Sequence, residues 1–502
     1  MASKKQQKLE LTWIGKGEEP ALEPRILIEN PEYSYGDINT DNLLIHGDNL
    51  LALKALEQDY TGKVKCIYID PPYNTGQAFE HYDDGLEHSI WLDLMSQRFK
   101  LLRNLLTSDG TLFVQLDDNE VAYCRVILDE IFGRENFLNQ VSAKMKQTSG
   151  ASGGGEDKKL KKNIEYILIY SKDKNHFNSF NPLYDETNLF DLIKEMREQG
   201  KSWKYTRVIY SGLQEREYFG ETKDGSGDVI KIFKHSNIVY KTIKELMKED
   251  GLTEEECYVK YYDKVFRDTN AQSSIRTRVM TATQGNGDFF SIDYVPKSGK
   301  NKNKLTTLYY KGNNCDLIAW LSDVCVKKNN SLIKLEKAGT YWDGFPLNNL
   351  TKEGGVKFPH GKKPEALIQK ILALATQEGD FVLDSFLGSG TTAAAALKMK
   401  RKFIGVELGN HALTHCVPRF KKVIDDKDTA GITKAVNWQG GGGFKFYDLA
   451  PSLLNKDKYD NWVISKEYNA DMLAAAMAKQ EGFTYTPDKN NYWKQGYSAE
   501  QD

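Results

Sequence analysis

Cysteine is scarce in this chain. There are six in 502 residues, Cys66, Cys124, Cys257, Cys315, Cys325 and Cys416. No pair has zinc-ligand spacing, and so few thiols in so long a chain do not build a disulfide frame. Free, mostly buried thiols are expected, and no metal site. Long apolar runs are missing too: none reaches the ~18 residues of a membrane helix. The opening Met1-Ala2-Ser3-Lys4-Lys5 leads into no apolar core, so no secretory signal and a cytoplasmic location are expected. No sequence repeat of fixed period is visible. An excess of one charge is absent as well, since 68 basic residues meet 70 acidic ones for a net charge of −2. The molecule as a whole therefore does not advertise a polyanionic partner.

What is present is an ordinary globular composition, 40% hydrophobic and 27% charged, long enough for two to four folding units. Residues 1 to about 40 have little periodicity and read as a wrapping arm. From Leu43 the chain alternates strands and helices. Leu43–Asp48 is a short strand and turn, Asn49–Gln58 a helix, and Val64–Ile69 a continuous apolar run, the mark of a strand covered on both faces. Then come a helix over His88–Leu106, a turn at Asp109-Gly110, a strand over Thr111–Leu116, a helix over Asn119–Phe132 and a strand over Ile164–Tyr170. After a Tyr-, Lys- and Asn-rich stretch the pattern resumes with a helix opened by Lys363-Pro364-Glu365, a strand Phe381–Asp384, a helix Thr391–Lys400 and a strand Phe403–Glu407. Such alternation predicts a doubly wound α/β sheet. The units expected are 1–171, an insertion over 172–340, 341–425, and a C-terminal extension over 426–502.

Two motifs carry chemistry. Asp384-Ser385-Phe386-Leu387-Gly388-Ser389-Gly390 joins a strand to a helix, where glycine lets backbone approach a ligand. Gly388-x-Gly390-x-x-Ala393, with Glu407 closing the next strand, also satisfies a loose dinucleotide fingerprint. A redox nucleotide, S-adenosylmethionine and a plain tight turn all remain open on the turn itself. Asp384 shifts the balance, because a carboxylate there repels a pyrophosphate and suits an aminoacyl ammonium.

Asp70-Pro71-Pro72-Tyr73 ends the apolar strand. Proline cannot extend the ladder and fixes the corner. A carboxylate and the Pro71 carbonyl held there can accept both hydrogens of an exocyclic base amine, whose lone pair is otherwise delocalised into the ring. Tyr73 can stack on a base turned out of its duplex. The bland alternative is a strand-ending turn with an ordinary tyrosine.

Residues 43–171 and 341–425 resemble a DNA amino-methyltransferase of the group in which the catalytic motif precedes the cofactor motif. The resemblance extends over Ile69–Gly76, His88-Ser89-x-Trp91 with Met95 and Arg98, Glu165–Tyr170, Lys362–Glu365, Phe386–Thr392 and Gly440–Phe444. These stretches are similar to the modification subunits of type III restriction systems. That resemblance implies adenine-N6 methylation of duplex DNA, with cytosine N4, RNA or a non-catalytic recognition scaffold as alternatives. Asp opening the tetrapeptide favours adenine. It implies S-adenosyl-L-methionine as cofactor, bound by Asp384, Phe386, Gly388, Gly390, Thr391 and Glu407, helped by Lys363 and Pro364, with Asp48 at the adenine. Asp70, Pro71, Pro72 and Tyr73 would be catalytic, and His88 and Trp91 are as readily a helix cap and a core anchor. A homodimer and a restriction (helicase–nuclease) subunit are the implied partners, and no membrane.

The insertion would read sequence. Ser273–Arg278 resembles a recurring patch of that family, and its alternating Arg276 and Arg278 would share one face of an extended segment, suited to phosphates or a guanine edge. Six lysines, Lys144, Lys146, Lys158, Lys159, Lys161 and Lys162, surround the glycine stretch Ser149–Gly155 and would be phosphate contacts. That stretch is expected to be poorly ordered without a partner. A solvated face is the plain reading of either cluster, and of the second lysine run, Lys297–Lys311.

Overall fold

The computed structural model describes residues 10–18, 21–74, 78–79, 82–83, 87–146, 160–297, 301–358 and 361–498, with backbone alone at 78–79, 82–83 and 349. Thr75, Gly76, the Ser149–Gly155 stretch, Lys158 and Lys159 lie outside them. The chain forms two compact units, one of residues 1–183 and 339–502, the other of Tyr184–Ala338.

The larger unit is built on one mixed sheet of eleven strands. Its main members are β1 (Leu43–His46), β2 (Val64–Ile69), β3 (Leu106–Leu116), β4 (Phe137–Lys144), β5 (Ile164–Ser171), β6 (Phe381–Asp384), β7 (Lys402–Glu407) and β8 (Gly443–Leu449). Across the sheet they run β8, β1, β7, β6, β2, β3, β5, β4. The first six are mutually parallel and β5 runs against both its neighbours. Helices cover both faces: α1 (Asn49–Tyr60), α2 (His88–Leu105) and α3 (Val121–Phe132) on one, α4 (Glu365–Ala375), α5 (Thr391–Lys398) and α6 (Val417–Ile424) on the other. The pleat explains the division. In β2, Ile67 and Ile69 pack toward α1–α3, whereas Cys66 and Tyr68 pack toward α4–α6. All six cysteines are buried and free.

Several boundaries differ from the sequence reading. Asp109-Gly110 is no turn. β3 begins at Leu106, and residues 107–110 bulge out between the pairings Val64↔Leu106 and Cys66↔Thr111. The insertion begins at Tyr184, because Phe180 packs on Phe113 and the Asn181 side chain donates to Ala373 and Thr376 of the larger unit. Residues 426–449 are integral, not an extension. Asp428 accepts from the buried Lys398 at 2.7 Å, and β8 pairs parallel with β1. The N-terminal arm does wrap: Leu27–Glu29 and Tyr35–Gly36 both add antiparallel to β8.

The smaller unit has an eight-stranded antiparallel sheet, a three-stranded one, and helices that include Ser274–Thr283. That helix corrects the extended reading of Ser273–Arg278. Ser273 caps it through the Arg276 amide. Two residues apart on a helix, Arg276 and Arg278 point to different sides. Arg276 is buried and donates to the carbonyls of Asn314 and Cys315, whereas Arg278 is exposed. In the second lysine run, Lys297 pairs with Asp228 and Lys311 lies 3.7 Å from Asp268, as on a solvated face.

Candidate active site

Parallel strands end on the same side, so topology alone brings the two motifs together. β2 and β6 are hydrogen-bonded neighbours with Ile67 opposite Leu383. This sets Asp384, closing β6, beside Tyr68, and Asp70 just past the end of β2. Both aspartates share the face toward α4–α6, at the carboxyl edge where α/β sheets bind ligands.

The Pro71-Pro72 corner is fixed from outside. Trp91 of α2, wholly buried, donates its indole N–H to the Pro72 carbonyl at 2.8 Å. Trp91 is thus a core anchor that also holds the corner. His88 follows the helix cap and approaches Glu120 at 3.0 Å, which also receives the Asn74 amide.

Asp70 sits in a compact charged cluster that the sequence did not announce. Tyr73 Oη lies 2.6 Å from Asp70 Oδ1 and 2.9 Å from Glu165 Oε2. Lys363 Nζ lies 2.9 Å from Asp70 Oδ2 and 3.3 Å from Glu165 Oε2, above the Tyr73 ring. Gln115 donates to Glu165 at 2.6 Å and receives the Tyr68 hydroxyl at 2.7 Å. Burial raises the Asp70 carboxyl above its ordinary value against the pull of Lys363. Burial acts the same way on Glu165, but Lys363, Gln115 and Tyr73 outweigh it and hold Glu165 low. Burial would lower the Lys363 ammonium, and the two carboxylates raise it instead. Lys363, expected at the cofactor, is therefore a neighbour of Asp70. Pro364 places it there as the N-cap of α4.

The glycine turn is held as tightly. Asp384 accepts from the Phe386 amide at 3.0 Å and the Thr392 hydroxyl at 2.5 Å. Burial pushes its carboxyl up to about 7, and the Asp70 and Glu407 charges act in the same direction. Glu407 accepts from the Gly388 and Gly409 amides at 2.7 and 2.9 Å and meets His411 at 2.9 Å, so despite burial it stays low. Gly390 has φ +78°, and a Cβ there would stand 2.8 Å from the Phe420 ring. Packing on α6 requires a glycine there. Thr391 also turns inward, accepting from Arg419 at 2.9 Å. Phe386 and Gly388 are the partly exposed residues of the turn. Asp48 caps α1 through the Leu50 and Leu51 amides and meets Arg98 at 3.4 Å, with 39% of its side chain exposed.

The residues present fit an aminoacyl nucleoside. A buried carboxylate whose charge burial opposes favours a cationic partner. Next to it the Ser385 hydroxyl is buried with no hydrogen-bond partner among the described residues. Of the lysine cluster, Lys144 ends β4 opposite Ile164, at the edge that carries Asp70, and Lys146 is exposed just beyond. Lys161 is exposed nearby, and Lys162 is paired with Asp117 and Asp118. Among the described residues no group of His, Cys, Asp and Glu suits a metal ion, and no helix is long and apolar enough to cross a membrane.

The family model described as DNA methylase, N6_N4_Mtase, matches residues 64–417. Over 414 residues the chain is 45% identical to the probable type III restriction-modification enzyme HindVI Mod subunit of Haemophilus influenzae, covering 82% of this chain and 54% of that protein. It is 28% identical over 437 residues to the EcoPI Mod subunit of Escherichia phage P1, covering 79% and 62% respectively. With the StyLTI Mod subunit of Salmonella typhimurium the identity is 26% over 419 residues, 76% of this chain and 53% of the relative. The chain thus spans a little over half the length of these curated relatives.

Proposed function

We propose, from the premise that this chain belongs to the DNA methylase family matched over residues 64–417, that it transfers a methyl group from S-adenosyl-L-methionine to N6 of an adenine turned out of duplex DNA. The observation that carries the reading is the adjacency of β2 and β6, which puts Asp70 and Asp384 at one sheet edge. When bound, S-adenosylmethionine supplies an electrophilic methyl group. Asp384 with Ser385, Phe386, Gly388 and Glu407 would hold it, and Asp48 has a half-exposed carboxylate to offer. Asp70 and the Pro71 carbonyl accept the two amine hydrogens, and the Trp91-braced corner fixes their direction. Incubated with methyl-labelled cofactor, the chain is expected to label unmodified duplex DNA and leave RNA unlabelled.

By likeness to the Mod subunits, we place the chain as a modification and recognition subunit. A second copy and a restriction subunit are the partners this reading implies, with a cytoplasmic location. The smaller unit reads the target, and Lys144, Lys146 and Lys161 meet phosphates.

Cofactor affinity follows pH through Asp384. Its folded value of about 7 lies above the ordinary 3.8, so the free protein favours the protonated carboxyl and loses that contribution as pH rises through 7. A ligand ammonium needs the ionised form. Affinity measured by calorimetry should therefore climb about tenfold per pH unit up to 7, then fall above about 8 as the ligand's own amine loses its proton. A flat profile from pH 5.5 to 7 contradicts Asp384 as the ammonium partner.

In the smaller unit, Arg278→Ala is expected to weaken duplex binding and reduce the slope of log affinity against log salt by about one, with cofactor affinity unchanged. Arg276→Ala should instead destabilise that unit, because two carbonyls lose their donor. Unchanged DNA affinity for Arg278→Ala across a salt series counts against this reader.

A further inference from the structure

We propose that Glu165 is a positioning residue for methyl transfer, holding Tyr73 and Lys363 while Asp70 takes the substrate amine; this rests on the methyltransferase reading above. Both Asp70 oxygens are engaged in the free protein, Oδ1 by Tyr73 and Oδ2 by Lys363. An incoming amine needs one of them. The Tyr73 hydroxyl has one proton and two acceptors in reach, Asp70 Oδ1 at 2.6 Å and Glu165 Oε2 at 2.9 Å. Turning that proton toward Glu165 frees Asp70 Oδ1 without moving a heavy atom. Lys363 has the same choice, at 2.9 and 3.3 Å.

Glu165 is built to be the second acceptor. It lies at the start of β5, two strands from Asp70, and Gln115 of β3 and Tyr68 of β2 brace it from below. Its low carboxyl range keeps it charged, so it accepts both donors as Asp70 lets them go. The groups facing Asp70 are Tyr73 in the corner, Lys363 before α4, Glu165 on β5, Tyr68 on β2 and Asp384 at the end of β6. Of these, Glu165 opposes the ionisation of Asp70. Lys363 favours it.

The test compares the unaltered chain with E165Q and E165D, using methyl-tritiated S-adenosylmethionine and unmodified genomic DNA. E165Q keeps size and an oxygen for Tyr73 but removes the charge that shares Lys363. The expectation is a ten- to hundredfold fall in kcat, about the effect of a misplaced reacting group, with calorimetric cofactor affinity unchanged and partial recovery in E165D. With cofactor saturating, the acid limb of the kcat/KM profile for DNA should also move to lower pH, since Lys363 then acts on Asp70 alone and the opposing Glu165 charge is gone. A structural role would not move that limb. An E165Q kcat close to that of the unaltered chain, or a fall with the acid limb unmoved, overturns the proposal. Absence of transfer by the unaltered chain overturns the functional reading and the Glu165 role with it. Normal transfer by that chain beside an unaffected E165Q overturns the role alone.

Discussion

Asp70→Ala is expected to lower methyl transfer by on the order of 10²–10³-fold, the loss seen when one charge-stabilising group is removed from a preorganised site, and to leave cofactor binding intact. The separation follows from the geometry. Asp70 lies past the end of β2 and touches Tyr73 and Lys363, whereas the glycine turn is held by Asp384, Thr392, Glu407 and backbone amides. Nor should the fold suffer much. Lys363 keeps Glu165 at 3.3 Å, so no buried ammonium is left alone, and the Trp91–Pro72 bond persists. Calorimetry on the variant should give cofactor affinity at least equal to the unaltered chain, since Asp384 loses a nearby like charge. A variant that retains most of its turnover refutes the assigned role. One that loses cofactor binding means the two motifs are not the separable halves described.

The largest stability effect is expected at Lys398→Met. Lys398 is wholly buried at the end of α5 and reaches Glu365 and Asp428 at 2.7 Å each. Arg419, equally buried, meets Glu365 at 2.8 Å and donates to the Ser389 carbonyl and the Thr391 hydroxyl. The network therefore ties three things together: the start of α4, which delivers Lys363; the end of the glycine turn; and the segment leading to β8. Methionine fills the volume but leaves the Asp428 carboxylate buried without its cation. Breaking such a pair from one side destabilises by about 3–5 kcal/mol, more than the pair's own net worth. In urea the midpoint for the larger unit should fall with its slope unchanged. Adding Asp428→Asn should recover part of the loss, a coupling measurable as a double-mutant cycle. A midpoint within experimental scatter of the unaltered protein contradicts the network's structural role.

The backbone of the site was readable because its signals are local. An apolar run stopped by two prolines, and a strand running into Gly388-Ser389-Gly390, announce strand ends whatever surrounds them. Their meeting followed from the rule that parallel strands present their carboxyl ends together. The partners across the sheet were not readable. Nothing near Lys363 in sequence says that it will sit on Asp70, nearly three hundred residues away, and the family resemblance assigned it to the cofactor instead. Glu165 opens an apolar run and looks like a strand end, and only its distance from Tyr73 gives it a role. Arg276 and Arg278 alternate as a strand would, but the segment is a helix that Ser273 caps through the Arg276 amide. Gly390 was read as room for a ligand, and the packing of Phe420 against it was not readable. Residues 426–449 looked appended because a glycine run precedes β8, although β8 completes the sheet beside β1.

The most direct test is nucleoside mass spectrometry of unmodified duplex DNA incubated with the purified chain and S-adenosylmethionine bearing a trideuterated methyl group. Deuterated N6-methyl-deoxyadenosine, absent from the Asp70→Ala control, is the predicted product. Label confined to N4-methyl-deoxycytidine, or no labelled nucleoside while the cofactor is bound, contradicts it.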